Sequence, residues 1–202
     1  MKLVIMTKST FFVEEDKILA SLFEEGMENL HLFKPNSSPL YAERLLTLLP
    51  KDYHRKITVH EHYYLKNEYH LAGIHIDNPL ETQLDDYRGK KSTTCNRLEL
   101  LKDIKKKSEY VFLRNIFDSI EFPDEKSSFS PDQLQEAARQ GLIDKKVYAM
   151  GGMNIDNIKI AKDLGFGGVV ICSDLWSKFD IHNQTDFKQL INHFVRLRKA
   201  VG

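Results

Sequence analysis

Eight short β-type runs, each followed by a helical stretch or turn, recur from one end of this chain to the other, and nothing else in it restricts the fold as strongly. The runs cover residues 2–8, 29–34, 56–62, 73–77, 91–95, 110–117, 146–150 and 168–172. Most are continuous apolar segments, as expected of strands covered on both faces. Between them lie helical stripes such as Ile18, Leu19, Leu22 and Phe23, or Leu98, Leu101 and Ile104. Phe187, Leu190, Ile191, Phe194 and Val195 form the clearest amphipathic period, at the end of the chain. Ser130-Pro131 reads as an N-cap followed by proline at the first helical position. The stretches 63–72 and 78–89 predict only weak helices.

Strict β/α alternation implies a parallel sheet. Eight units in 202 residues predict a compact (β/α)8 TIM barrel, one domain over residues 1–202. An open doubly wound sheet is the other arrangement considered, but its glycine-rich phosphate turn follows the first strand, and here the glycines come late. A chain of this length with 42% hydrophobic residues holds one core and no linker-like segment divides it.

Charge narrows the function classes. Lys plus Arg number 29 and Asp plus Glu number 29, which argues against a nucleic-acid or membrane surface as partner. The basic run Lys105-Lys106-Lys107 falls at a helix end, where it suits the helix dipole. Two cysteines, Cys95 and Cys172, make no disulfide framework, and the apolar run at residues 3–6 is too short for a signal peptide, so a reducing, cytoplasmic setting is expected.

The late glycines raise a chemical expectation. In a barrel the active site lies at the carboxyl ends of the strands, with a phosphate often held by the loops after strands seven and eight. Gly151-Gly152 ends strand seven, and their bare backbone lets N–H groups approach an anion. Asn154 is placed to cap the following helix, and Ser173 after strand eight adds a hydroxyl and an N–H. The competing reading of the glycines is a tight turn alone.

Four histidines fall on strands two to four: His31, His60, His62 and His75. Spacing puts His60 and His62 on one face, and His75 and Asp77 on one face. Three readings stand: proton transfer or substrate contact, a transition-metal site built on His60, His62 and His75, or hydrogen-bonded structural histidines. No carboxylate cluster accompanies them on strands five to eight, so no metal site is assigned. The tyrosines Tyr63, Tyr64 and Tyr69 read as a lid or as loop packing, Trp176 as rim packing and Cys172 as core.

Several pieces resemble one family. LHLFKP (30–35), LAGIHID (71–77), NIFDSI (115–120), YAMGGMNIDNI (148–158) and LGFGGVVICSDLW (164–176) together resemble the thiamin phosphate synthase/TenI (thiazole tautomerase) family of small barrels. The resemblance implies a thiazole phosphate held by Gly151, Gly152 and Ser173, with Lys34 and Ser119 near the substrate beside His31 and His62. It implies a homodimer, Mg²⁺ for a synthase that joins hydroxymethylpyrimidine pyrophosphate to the thiazole, and no cofactor for a tautomerase.

The pyrophosphate side departs from the family pattern. An expected arginine is Phe33, and a lysine after strand six is replaced near Phe122, with Lys126 late. An asparagine–aspartate pair reads His60-Glu61, and a Gly-Gln-x-Asp run reads Asp77-Asn78-Pro79-Leu80, which removes one metal carboxylate. A phenyl ring offers neither charge nor donors to a departing pyrophosphate. A tautomerase is therefore expected ahead of a true synthase, a non-catalytic binder or a metal hydrolase using His60/His62. The tautomerase base of the family aligns with Cys95, either a thiolate activated by the helix starting near Asn96 or an inert buried thiol. His60 and His75 are the remaining catalytic candidates.

Overall fold

The computed structural model describes residues 1–79, 87–180, 182–183 and 186–202. Its strands are β1 (Lys2–Met6), β2 (Leu30–Leu32), β3 (Ile57–Val59), β4 (Gly73–Ile76), β5 (Lys91–Cys95), β6 (Val111–Leu113), β7 (Val147–Ala149) and β8 (Gly168–Ile171). All neighbours pair in parallel in chain order, and β1 closes on β8 with Lys2 opposite Gly168 and Ile5 opposite Ile171. The architecture is a closed (β/α)8 barrel, as the alternation predicts.

The helices are α1 (Glu15–Glu24), α2 (Pro39–Leu48), α3 (Lys51–His54), α4 (Leu65–Glu68) and α5 (Leu98–Lys107). After them come α6 (Pro131–Arg139), α7 (Ile158–Asp163), α8 (Ser173–Trp176) and α9 (Lys188–Val201). Among the described residues no helix separates β4 from β5, and the weak helix expected over 78–89 falls largely outside them. Ser130 caps α6 as expected, in a reciprocal capping box with Gln133. Among the described residues no helix is long and apolar enough to cross a membrane.

Side chains alternate across each strand, so every strand feeds two cores. Outward residues such as Ile5, Val111, Leu113, Val169 and Ile171 pack against the helices, where Leu19, Leu22, Leu190 and Phe194 meet them. Inward residues Val4, Met6, Phe112, Tyr148 and Val170 fill part of the barrel itself. Gly168 is small for a packing reason: a Cβ there would lie 2.7 Å from the Tyr148 ring. Trp176 is buried at the rim and donates from Nε1 to the Met6 carbonyl at 2.8 Å.

Strand β5 breaks the apolar rule. Its sequence KSTTC is polar yet buried from Ser92 to Cys95. Thr93 satisfies itself outward on Ser108 at 2.9 Å, while Ser92 and Thr94 turn inward to His75. Burial of such hydroxyls is tolerable only with partners, and here each has one.

Candidate active site

Strands β2 to β5 carry a polar core that ends at the barrel mouth. His31, His60 and His75 are at most 3% exposed, and their rings pack against one another, with centroids 5.1, 5.2 and 4.3 Å apart. His31 Nδ1 lies 2.9 Å from His60 Nε2, and His31 Nε2 lies 2.7 Å from the Tyr110 hydroxyl. His60 Nδ1 reaches both oxygens of Asp77, at 3.0 and 2.9 Å. His75 Nδ1 meets Ser92 Oγ at 2.7 Å and its Nε2 meets Thr94 Oγ1 at 2.8 Å. All ring nitrogens of the three are engaged.

Burial holds His31 and His75 well below the ordinary imidazole range, and the neighbouring rings add to the effect. Both are therefore neutral near pH 7. Asp77 sits just past β4 with its side chain 44% exposed, the wet end of this network. Beside it, Glu61 is half-buried and accepts from the Lys34 amide at 3.0 Å; burial raises its pKa. Tyr63 donates to the His75 carbonyl at 3.0 Å, and burial with the nearby Asp77 and Glu61 pushes its phenol up to about 12.

The loops after β6, β7 and β8 form the other side of the mouth. Gly151 and Gly152 have φ of 95° and 62°, the left-handed region that favours glycine. A Cβ on Gly152 would also collide with the Asp118 carbonyl oxygen, so these glycines are demanded by the close approach of the β6 loop. Asn154 does not cap α7 directly. Its side chain accepts from the amides of Asp156 and Asn157 one turn earlier, and Asn157 holds the N-cap position. Buried Asp174 ties this loop down, accepting from the Ile155 amide at 3.3 Å and pairing with His193 at 2.7 Å. Ser173 Oγ donates to Glu121 Oε2 at 2.9 Å, so a carboxylate oxygen already meets that hydroxyl. Ser119 accepts from the Phe122 amide at 3.0 Å in the β6 loop.

Four sequence expectations need correction. Cys95 faces the outer core, its Sγ donating to the Arg97 carbonyl at 3.0 Å, and burial pushes its thiol up rather than down. The inward residue of that strand end is Thr94, and Cys95 is withdrawn as a base. His62 does not share a face with His60: β3 ends at Val59, and His62, with φ 52°, turns to the Ser37 carbonyl at 2.9 Å. The histidines that do converge are His31, His60 and His75, with ring nitrogens within 4.8 Å of one another. Lys34 is only 1% exposed, covered by the loop after β1, and pairs with Glu15 at 2.6 Å and the Thr10 carbonyl at 2.9 Å. The three tyrosines form no common lid: Tyr64 bonds Glu43, and Tyr69 packs on His54.

Among the described residues, the groups able to hold a metal are already hydrogen-bonded. A transition metal would have to displace hydrogen bonds that engage every nitrogen of the triad. Mg²⁺ takes carboxylates together with phosphate oxygens. Asp77 accepts from His60 at both oxygens and Glu61 from the Lys34 amide, bonds that leave each carboxylate further lone pairs.

Tyr110 and Glu121 are site residues that sequence reasoning missed. Tyr110 was legible in principle, since it lies two positions before inward Phe112; Glu121 carried no signal.

A closed (β/α)8 barrel with a polar triad below its mouth places the chain in a fold class whose active sites lie at the carboxyl ends of the strands. Among solved structures, the chain is similar to a thiamine phosphate pyrophosphorylase from Bacteroides thetaiotaomicron, with 45% identity and a TM-score of 0.89 over 99% of this chain and 97% of that one. The chain belongs to the thiamin phosphate synthase/TenI family. A thiamine phosphate pyrophosphorylase from Pyrococcus furiosus shares the fold at 17% identity and TM-score 0.77, covering 99% of this chain and 95% of that one. A tryptophan synthase α-subunit from the same organism does so at 12% and 0.66, covering 98% and 97%. No family model and no curated protein matches the chain.

Proposed function

We propose that this protein binds a phosphorylated thiazole at the barrel mouth and acts on it by proton transfer, as an isomerase, rather than by displacing pyrophosphate. One observation carries the reading: among the described residues the two lysines expected at the pyrophosphate side, Lys34 and Lys126, are each paired with a carboxylate, while a proton-handling network is built. Phe33 replaces the guanidinium and packs on His60 at 5.3 Å. Lys34 is spent on buried Glu15, and Lys126 pairs with Asp118 at 3.2 Å. Loss of one such electrostatic contact costs about 10²–10³ in rate. The phosphate would meet the loops that carry Gly151, Gly152 and Ser173, with Ser119 on the adjoining loop.

A second reading is a working synthase, favoured by the name of the 45%-identical neighbour. Two assays separate them. Given hydroxymethylpyrimidine pyrophosphate, thiazole phosphate and Mg²⁺, the protein is expected to yield no thiamin phosphate above background, scored as fluorescent thiochrome. Given a thiazole carboxylate phosphate alone, it is expected to exchange the ring proton. Thiochrome in the first assay would establish the synthase instead.

A further inference from the structure

The hydrogen bonds below the mouth share one direction. A carboxylate only accepts, so His60 donates from Nδ1 to Asp77 across 2.9 Å. In its neutral form that ring accepts at Nε2, which requires His31 to donate from Nδ1. His31 Nε2 is then an acceptor, and the Tyr110 hydroxyl donates to it at 2.7 Å. Burial raises the pKa of this phenol, while the Ser92, Thr58 and Asn29 side chains lower it. Tyr110 immediately precedes β6 and Asp77 immediately follows β4, so the chain runs from the barrel floor to its mouth.

We propose that Asp77, His60, His31 and Tyr110 form one polarised relay in which Asp77 is the acid–base group presented to substrate, while His31 and Tyr110 are positioning residues that set its basicity from the floor. The substrate half of this proposal rests on the isomerase reading; the relay itself does not. Exposure selects Asp77 over the histidines, because its side chain is 44% exposed and that of His60 is 0% exposed. In the step, a ring C–H bond breaks, its proton passes to an Asp77 oxygen and its electron pair enters the ring. The proton then returns to a different ring atom, so nothing is oxidised and no co-reactant is consumed.

Hydrogen bonds in a chain polarise one another. A phenol donating to His31 makes Nδ1–H of that ring a better donor, and the same holds for His60, which favours the Asp77 carboxylate. Other titratable groups facing this path are His75, whose Nε2 is 3.9 Å from Asp77 Oδ1, and Glu61 and Tyr63 at the mouth. At the floor they are Tyr148, stacked on Tyr110 at 4.7 Å, and Glu109.

The test reads the relay without substrate. Nitrogen-15 spectra of the folded full chain at pH 7 are expected to show His31 and His60 both protonated at Nδ1. A proton on Nε2 of either ring overturns the proposal. In Tyr110→Phe the carbon-13 titration of the Asp77 carboxylate is expected to move up by a few tenths of a pH unit, following lost polarisation along the chain. His31→Gln gives the same test from the middle of the relay should the first variant not fold. A titration unchanged in a folded variant overturns the coupling. With thiazole substrate, Asp77→Asn is expected to lower kcat with KM little changed; full turnover in that variant refutes the acid–base role. A wild-type protein without turnover refutes the isomerase reading alone, and the spectra still decide the relay.

Discussion

The two halves of the barrel interior are built on opposite principles. From β6 through β8 to β1 the filling is apolar: Phe112, Tyr148, Val170, Val4 and Met6. From β2 to β5 it is polar: His31, Thr58, His60, His75, Ser92 and Thr94, all at most 8% exposed. The apolar half needs only shape, since its stability comes from removing area from water and filling space. The polar half needs complete pairing, because each buried donor or acceptor left alone costs its desolvation. Phe112 is the seam, stacked on His75 at 4.5 Å and packed on His31 at 4.7 Å. Proteins seldom bury six polar side chains together without use, so the polar half is where chemistry is to be sought.

Breaking the seam tests the comparison most severely. Phe112→Ala is expected to cost about 3–5 kcal/mol in urea unfolding, because it opens a cavity between both halves. A loss below about 1 kcal/mol would mean that the halves pack independently.

Acid distinguishes the halves next. Burial holds His31 and His75 neutral in the folded protein, whereas in the unfolded chain they take up protons below their ordinary value of 6.5. The unfolded state then binds more protons, so stability is full above about pH 6.5 and is lost as pH falls below it. Each histidine contributes a slope of about 1.4 kcal/mol per pH unit. His75→Gln is expected to remove about half of that slope, measured by urea unfolding between pH 6.5 and 4.5. An undiminished slope would place the acid sensitivity elsewhere.

Smaller effects sharpen the picture. Thr94→Val leaves the shape but removes the hydroxyl that meets His75 Nε2, and about 1 kcal/mol of stability should go with it. Glu121→Ala removes the carboxylate at Ser173 and is expected to tighten binding of a thiazole phosphate several-fold by calorimetry, roughly 1 kcal/mol. Unchanged affinity would show that the phosphate does not use Ser173. Gly152 offers no such clean test, because any side chain there strikes the β6 loop before it meets a ligand.

Much of this molecule was legible before any coordinates. Each of the eight strands lies within its expected run, and for all but the polar β5 the reason is that runs of Val, Ile and Leu between turn residues have few other uses. The histidines of β2 to β4 were also visible as polar side chains on strands. What failed was facing and partnership. Cys95 and Thr94 are adjacent, and a buried strand conceals which parity points inward, since both faces are covered. His62 was assigned by period to a strand that had already ended. Lys34 looked like a mouth cation because its partner, Glu15, is 19 residues away in sequence.

The sequence by itself determined the barrel, its strand order and the residue types available to the mouth, since local periodicity and strict alternation are encoded over a few residues at a time. Only the tertiary structure decided that Asp77, His60, His31 and Tyr110 join into one chain and that Lys34 is withdrawn from solvent. Those outcomes depend on barrel closure, which sets the relative register of strands far apart in the chain, and a shift of one residue would exchange inward for outward side chains.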